Sequence, residues 1–252
     1  LNKGANTMRM NSPYGGYGYQ PPQYGSGVAA GAGYQSLLSK VLTLLSLTLL
    51  VAGIGIGVGM YLLLHAGNAT FLLPAIILEI ISLIALMITA RVLKRAAVLN
   101  LALLFFFTFC SGLTISAVIA EYVLIGAEKA IAEALVLTGV LAVGLGMYAW
   151  TTRRNLSRLG PFLFIGLITL VVASIFSLFL SFGWLSWLIS VGGVVIFSGY
   201  ILYDVQRIKF TQNTLSAAIL LTVSLYLDII NLFLSILRIL SLLGGGGGGR
   251  RN

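Results

Sequence analysis

Charge is scarce in this chain. Of 252 residues only 8% are Asp, Glu, Lys or Arg, and just six are acidic. A soluble domain carries about 25% charged residues, so a solvated globular surface is excluded. There is one cysteine, Cys110, inside an apolar run, which rules out an intramolecular disulfide. With a single histidine, His65, no His/Cys metal cluster can be built either. What is abundant is apolar: 59% of residues are hydrophobic and the mean hydropathy is +1.04. The composition is that of a polytopic membrane protein. The net charge of +9 is scattered through short loops rather than gathered on one face, so it is no nucleic-acid footprint.

Seven apolar runs set the organisation, at about 38–64, 70–90, 96–120, 132–151, 161–182, 185–205 and 214–243. Each reaches the ~20 residues needed to cross a bilayer, and the joining loops are short. The expected fold class is therefore an all-α polytopic membrane protein with seven transmembrane helices. Before them, residues 1–36 are rich in Gly, Tyr, Pro and Gln and are expected to form a disordered cytoplasmic tail. Residues 37–243 form the membrane domain, and 244–252 a flexible Gly/Arg tail. The first run is too long for a signal-peptide core, and Met8 or Met10 is a candidate start. Pro74 and Pro161 fall in first turns, where a missing N–H is harmless. Gly53, Gly55, Gly57 and Gly59 make two overlapping pairs of small residues four apart, which predicts a close helix contact.

Lysine and arginine set the orientation. With the N-terminus inside, Lys3, Arg9, Lys40, Arg91, Lys94, Arg95, Arg153, Arg154, Arg158, Arg207 and Lys209 are cytoplasmic. Lys129, Arg250 and Arg251 are then outside, a strong positive-inside bias that predicts an outer C-terminus. An outer loop between the third and fourth runs is expected to carry Glu121, Glu128 and Glu133.

Against this background Asp228 stands near the centre of the seventh run. A carboxylate at that depth costs roughly 2.5–3.5 kcal/mol on insertion scales and normally faces protein or water. Ser224, Asp228, Asn231, Ser235 and Arg238 share one helix face within about 80°. That stripe predicts a helix buried in the bundle, with its polar side lining the interior. Asp204 lies near the end of the sixth run, and the short connection makes the two helices antiparallel neighbours. Two carboxyls in a low-dielectric site do not both ionise cheaply and titrate as a unit, which suits a pH sensor or a transient Ca²⁺ contact. Alternatively each aspartate is satisfied separately, Asp204 by Arg207 and Asp228 by Asn231 or a hydroxyl. Spacing leaves both readings open.

Four stretches carry a family resemblance: SGLTIS at 111–116, YAWTTRRNLSRLG at 148–160, YILYDVQRI at 200–208, and TVSLYLDIINLFLSILRIL from Thr222. Together they resemble the Bax inhibitor-1, or transmembrane Bax inhibitor motif, family, in a bacterial form. The resemblance implies six helices around a central seventh and a pH-sensitive calcium leak. It places the family's proton-sharing aspartates on Asp204 and Asp228, which lie 24 positions apart. It also implies a basic latch in the junction of helices two and three. Arg91 is the first choice there, with Lys94 and Arg95 as alternatives. Glu79 matches an intramembrane acid of the family, either on the ion pathway or simply hydroxyl-bonded in the bundle.

The leading expectation is thus a non-enzymatic cation leak, with Ca²⁺ as permeant ion, no cofactor, and the bilayer, Ca²⁺ and protons as partners. A bacterial inner membrane is the expected location. The rival readings are a non-conducting regulatory or interaction protein of stress or cell-death control, an intramembrane aspartyl protease and a proton-coupled transporter. The protease is disfavoured because Asp228 lacks the Gly-x-Gly-Asp context, and no inverted repeat supports the transporter.

Overall fold

A computed structural model describes residues 27–93, 96–179 and 183–244. Seven α-helices run through them: α1 (Gly27–Leu64), α2 (Leu72–Val92), α3 (Ala97–Leu124), α4 (Glu128–Thr151), α5 (Leu159–Phe179), α6 (Gly183–Ile208) and α7 (Leu215–Gly244). No strand occurs among the described residues, and all seven helices are long and apolar enough to cross a membrane. This is the expected all-α seven-span class. In lipid, helices satisfy every backbone group internally, which is why the runs resolve into helices and not sheet. Buried hydroxyls are satisfied in the same way: Thr48, Thr138 and Thr222 donate to carbonyls three or four residues back.

Boundaries depart from the sequence expectation where local signals were missed. α1 begins at Gly27, inside the segment expected to be tail, and residues 1–26 and 245–252 lie outside the described residues. The acidic loop contracts to a tight turn at 125–127, leaving Glu121 on α3 and Glu128 and Glu133 on α4. Gly126, with φ +73°, turns the chain there, and Gly126 and Ala127 N–H groups donate to Val123 and Tyr122 carbonyls. Of the three acids, Glu133 pairs with Lys129 at 3.6 Å on an exposed helix face. At the end of α1, His65 is exposed and stacks on Tyr61, ring centroids 5.3 Å apart.

α7 is the most buried helix, with 56% of its most apolar window inside, against 6% for α5. Among the described residues it packs on α1, α2, α3, α4 and α6, whereas α5 packs on α6 alone. The resemblance implied a ring of six; α5 departs from it because a cavity of about 560 Å³ separates it from α7. α1 and α3 come closest. A Cβ on Gly112 would meet the Ala52 carbonyl oxygen at 2.2 Å, and one on Gly55 would meet the Phe109 carbonyl oxygen at 2.4 Å. Gly59 faces Ser116 in the same seam. Gly53 and Gly57 meet nothing within 4 Å, so only one of the two glycine pairs is a packing device.

One end of the bundle is tied together by polar side chains. Lys40 on α1 donates to Asn213 Oδ1 at 2.9 Å, and Asn213 Nδ2 donates to Ser36 Oγ at 3.1 Å. Gln206 on α6 accepts from Leu156 N at 2.6 Å and donates to the Arg154 carbonyl at 2.7 Å. Lys209 Nζ donates to the Ala149 and Trp150 carbonyls at the end of α4 and lies 5.3 Å from the Trp150 ring centroid. Burial lowers the Lys209 pKa from its ordinary value, an effect the two carbonyl contacts oppose. These ties gather the basic loops at one end, the distribution that the lysine and arginine pattern predicted.

Candidate functional site

The site forms where α6 and α7 lie side by side. α7 carries apolar residues on most of its surface and a single polar stripe, so burying it in the bundle forces that stripe against a neighbour. Gly193 lets α6 approach: a Cβ there would meet Ser235 Oγ at 2.4 Å. Further along the same seam Asp204 and Asp228 are 4% and 7% exposed, which makes both carboxyls interior groups. Asp204 lies within hydrogen-bonding reach of both Asp228 and Ser224. Asp228 Oδ2 is buried and takes no hydrogen bond from a protein donor. A proton held between the two carboxyls would supply a donor, since a protonated carboxyl donates and an ionised one accepts.

Arg207 is the cation beside them. Its guanidinium is 3.8 Å from Asp204 Oδ1, one turn away on α6, and about half exposed. Arg91, the first choice for a latch, has an exposed side chain at the end of α2 and makes no ion pair with either aspartate. Lys94 and Arg95 lie outside the described residues. Arg207 belongs to the helix of Asp204, so the short α-helical spacing brings it to the carboxyl whatever the bundle does.

The rest of the stripe divides. Asn231 Nδ2 donates to the Leu227 carbonyl at 2.7 Å, and Ser235 Oγ to the Asn231 carbonyl at 2.7 Å. Asn231 therefore serves its own helix and leaves Asp228 alone. Asn231, Ser235 and Arg238 line the α5–α6–α7 cavity with Ser190 and Phe197. Arg238 is exposed and donates to Ser186 Oγ at 3.2 Å, so the stripe expected wholly in the interior ends at a surface.

Glu79 sits apart, on α2. Its Oε2 accepts from Thr114 Oγ1 on α3 at 2.7 Å, the hydroxyl-bonded arrangement weighed for it above. As a metal centre the aspartates are sparse: among the described residues no group of three or more His, Cys, Asp or Glu could hold an ion. Two carboxyls fall short of the roughly 6–8 oxygens Ca²⁺ takes, which fits a passing ion better than a resident one.

Residues 34–245 match the family described as Inhibitor of apoptosis-promoting Bax1. The chain belongs to the Bax inhibitor-1 family. Bacterial members of this Bax inhibitor-1 group resemble it over much of its length. An uncharacterized protein of Campylobacter jejuni is 43% identical over 148 residues, 58% of this chain and 63% of that relative. The inner membrane protein YbhL of Escherichia coli is 34% identical over 181 residues, 68% of this chain and 75% of YbhL. An uncharacterized protein of Helicobacter pylori is 35% identical over 166 residues, 66% and 70% of the two chains. The match thus spans less than two thirds of the Campylobacter relative's length. With seven spans and this family, the protein is an integral, multi-pass membrane protein.

Several residues that matter to the site gave no warning in the sequence. Gln206 reads as an ordinary polar residue in a basic helix end, and only its two bonds to the 152–158 loop reveal a clamp. Asn100 and Tyr226 are fully buried; neither polar atom of the Asn100 side chain has a protein partner, and the Tyr226 hydroxyl lies beside Ser111 without a well-formed hydrogen bond. An amide in the run 96–120 was the available signal.

Proposed function

We propose that this protein is a pH-sensitive cation leak, with Ca²⁺ as the permeant ion, gated by a proton shared between Asp204 and Asp228. The observation that carries the reading is the meeting of two buried carboxyls from adjacent helices, one with an oxygen lacking a protein donor. Such a pair changes its hydrogen bonding and mutual repulsion with each proton gained or lost. α7 bears Asp228 and packs on five other helices, so a change at the pair biases how the bundle packs. Arg207 contributes a fixed positive charge on the α6 side. Arg91 enters only in another conformation, as a latch reached by movement of α2; Lys94 and Arg95 are the alternatives for that role. The protein acts without catalysis or cofactor, in a bacterial inner membrane, with its basic end in the cytoplasm and its C-terminus outside. The name of the YbhL relative supports the location.

The test is calcium flux against pH from liposomes holding the purified protein. Asp204→Asn and Asp228→Asn each retain shape but remove one titrating group, and each is expected to flatten the pH profile. Variants that leak with the parent's profile would refute the sensor. A parent that passes no ion between about pH 5 and 8 would favour the second reading, a non-conducting regulator, which the family description as an inhibitor supports.

A further inference from the structure

Opposite the aspartates, α7 presents a different face to α3. Tyr226 and Phe107 meet there edge to face, ring centroids 5.8 Å apart, and this contact fixes the register of the two helices. Asn100, Leu104, Phe107 and Ser111 fall on one α3 face by their 4, 3 and 4 spacing. Ile219, Val223 and Tyr226 do the same on α7. Because short connections make odd-numbered helices run in one direction, Leu104 lies about level with Val223, and Asn100 about level with Ile219.

Along this seam polarity alternates. At the basic end, Asn100 is 0% exposed, and neither its Oδ1 nor its Nδ2 has a protein hydrogen-bond partner. Leu104, Phe107, Ile219 and Val223 follow, all fully or almost fully buried. Beyond them the Tyr226 hydroxyl, beside Ser111 and also without a well-formed protein hydrogen bond, restores a polar wall. An orphaned buried amide is costly, and a membrane bundle offers no bulk water to offset it. An orphaned amide at one end and a poorly bonded hydroxyl at the other, bracketing an apolar stretch on one seam, are the pattern of a hydrophobic constriction, which blocks ions by excluding water.

We propose that the α3–α7 seam is the conducting route, with Asn100 as its inner hydrated position and Leu104, Phe107 and Val223 as the constriction. This rests on the reading of the protein as a cation leak, and adds where the ion passes. Tyr226 and Asp228 are two residues apart, so they point to opposite sides of α7. Any rotation or shift of α7 driven at the aspartates therefore moves the constriction by the same amount. When the seam wets, the amide of Asn100 and the hydroxyl of Tyr226 gain water or ion partners, and the opened state recovers what the closed state leaves unmade.

Two measurements test this in liposomes. Val223→Cys in a Cys110→Ala background is treated with a charged, membrane-impermeant methanethiosulfonate, where the parent leaks and where it does not. Modification confined to the leaking condition is expected. Asn100→Leu, which keeps the branched shape and the number of heavy atoms and removes the amide, is expected to lower calcium flux several-fold with an unchanged pH midpoint and no loss of thermal stability. Parent flux with Val223→Cys unmodified in both conditions and with Asn100→Leu at the parent's rate overturns the seam and leaves the leak intact. Absence of flux in the parent overturns both.

Discussion

Gly112→Ala tests the close approach of α1 and α3. The added Cβ would lie 2.2 Å from the Ala52 carbonyl oxygen and 3.0 Å from Gly55 Cα. Both are backbone atoms on α1, so no rotamer change relieves the clash. The helices must separate by roughly 1 Å to reach ordinary contact distances of ~3.5 Å. Overpacking of this kind costs about 1–3 kcal/mol. At about 2–4 °C per kcal/mol, the melting temperature in detergent should fall by roughly 2–12 °C. Gly55→Ala, with its Cβ 2.4 Å from the Phe109 carbonyl oxygen, should act alike. The double variant should cost less than the two singles combined, since one separation relieves both clashes. Gly53→Ala is the internal control: it meets nothing within 4 Å, and the gain in helix propensity is up to about 1 kcal/mol. Thermal unfolding of the four variants and the parent, followed by tryptophan fluorescence, decides the matter. A Gly112→Ala protein as stable as Gly53→Ala would refute the close approach and the register built on it.

Further outcomes follow from other contacts. Tyr226→Phe should leave melting unchanged or slightly raised, because it removes a buried hydroxyl without a well-formed protein hydrogen bond, whereas Phe107→Ala should cost about 3–5 kcal/mol in the same melts. Gln206→Ala should destabilise by about 1–3 kcal/mol, since it strands the Leu156 N–H, and limited proteolysis should show faster cutting in 152–158. Arg207→Gln should change stability by no more than about 1 kcal/mol, because the guanidinium is half exposed; a larger fall in melting temperature would show that the ion pair supports the fold.

The sequence by itself determined the seven spans, the gathering of basic residues at one end and the stripe on α7. Those are local properties: hydropathy accumulates over ~20 residues, and a helical period assigns faces without a partner. It also exposed Asp204 and Asp228 as candidates, because so few acids occur in apolar runs. Partners are another matter. The sequence supported both a meeting of the aspartates and separate satisfaction, and only packing α6 on α7 put the carboxyls within reach of each other. Four glycines looked equivalent, yet Gly55 and Gly59 face α3 while Gly53 and Gly57 face open space, since a 3.6-residue turn gives alternate pairs to different sides. Arg91 was chosen by analogy, but the cation at Asp204 is Arg207, held there by its own helix. In the sequence Asn100 is one polar residue in an oily run. Its lack of a protein partner depends on what α7 places beside it, and no local rule encodes that.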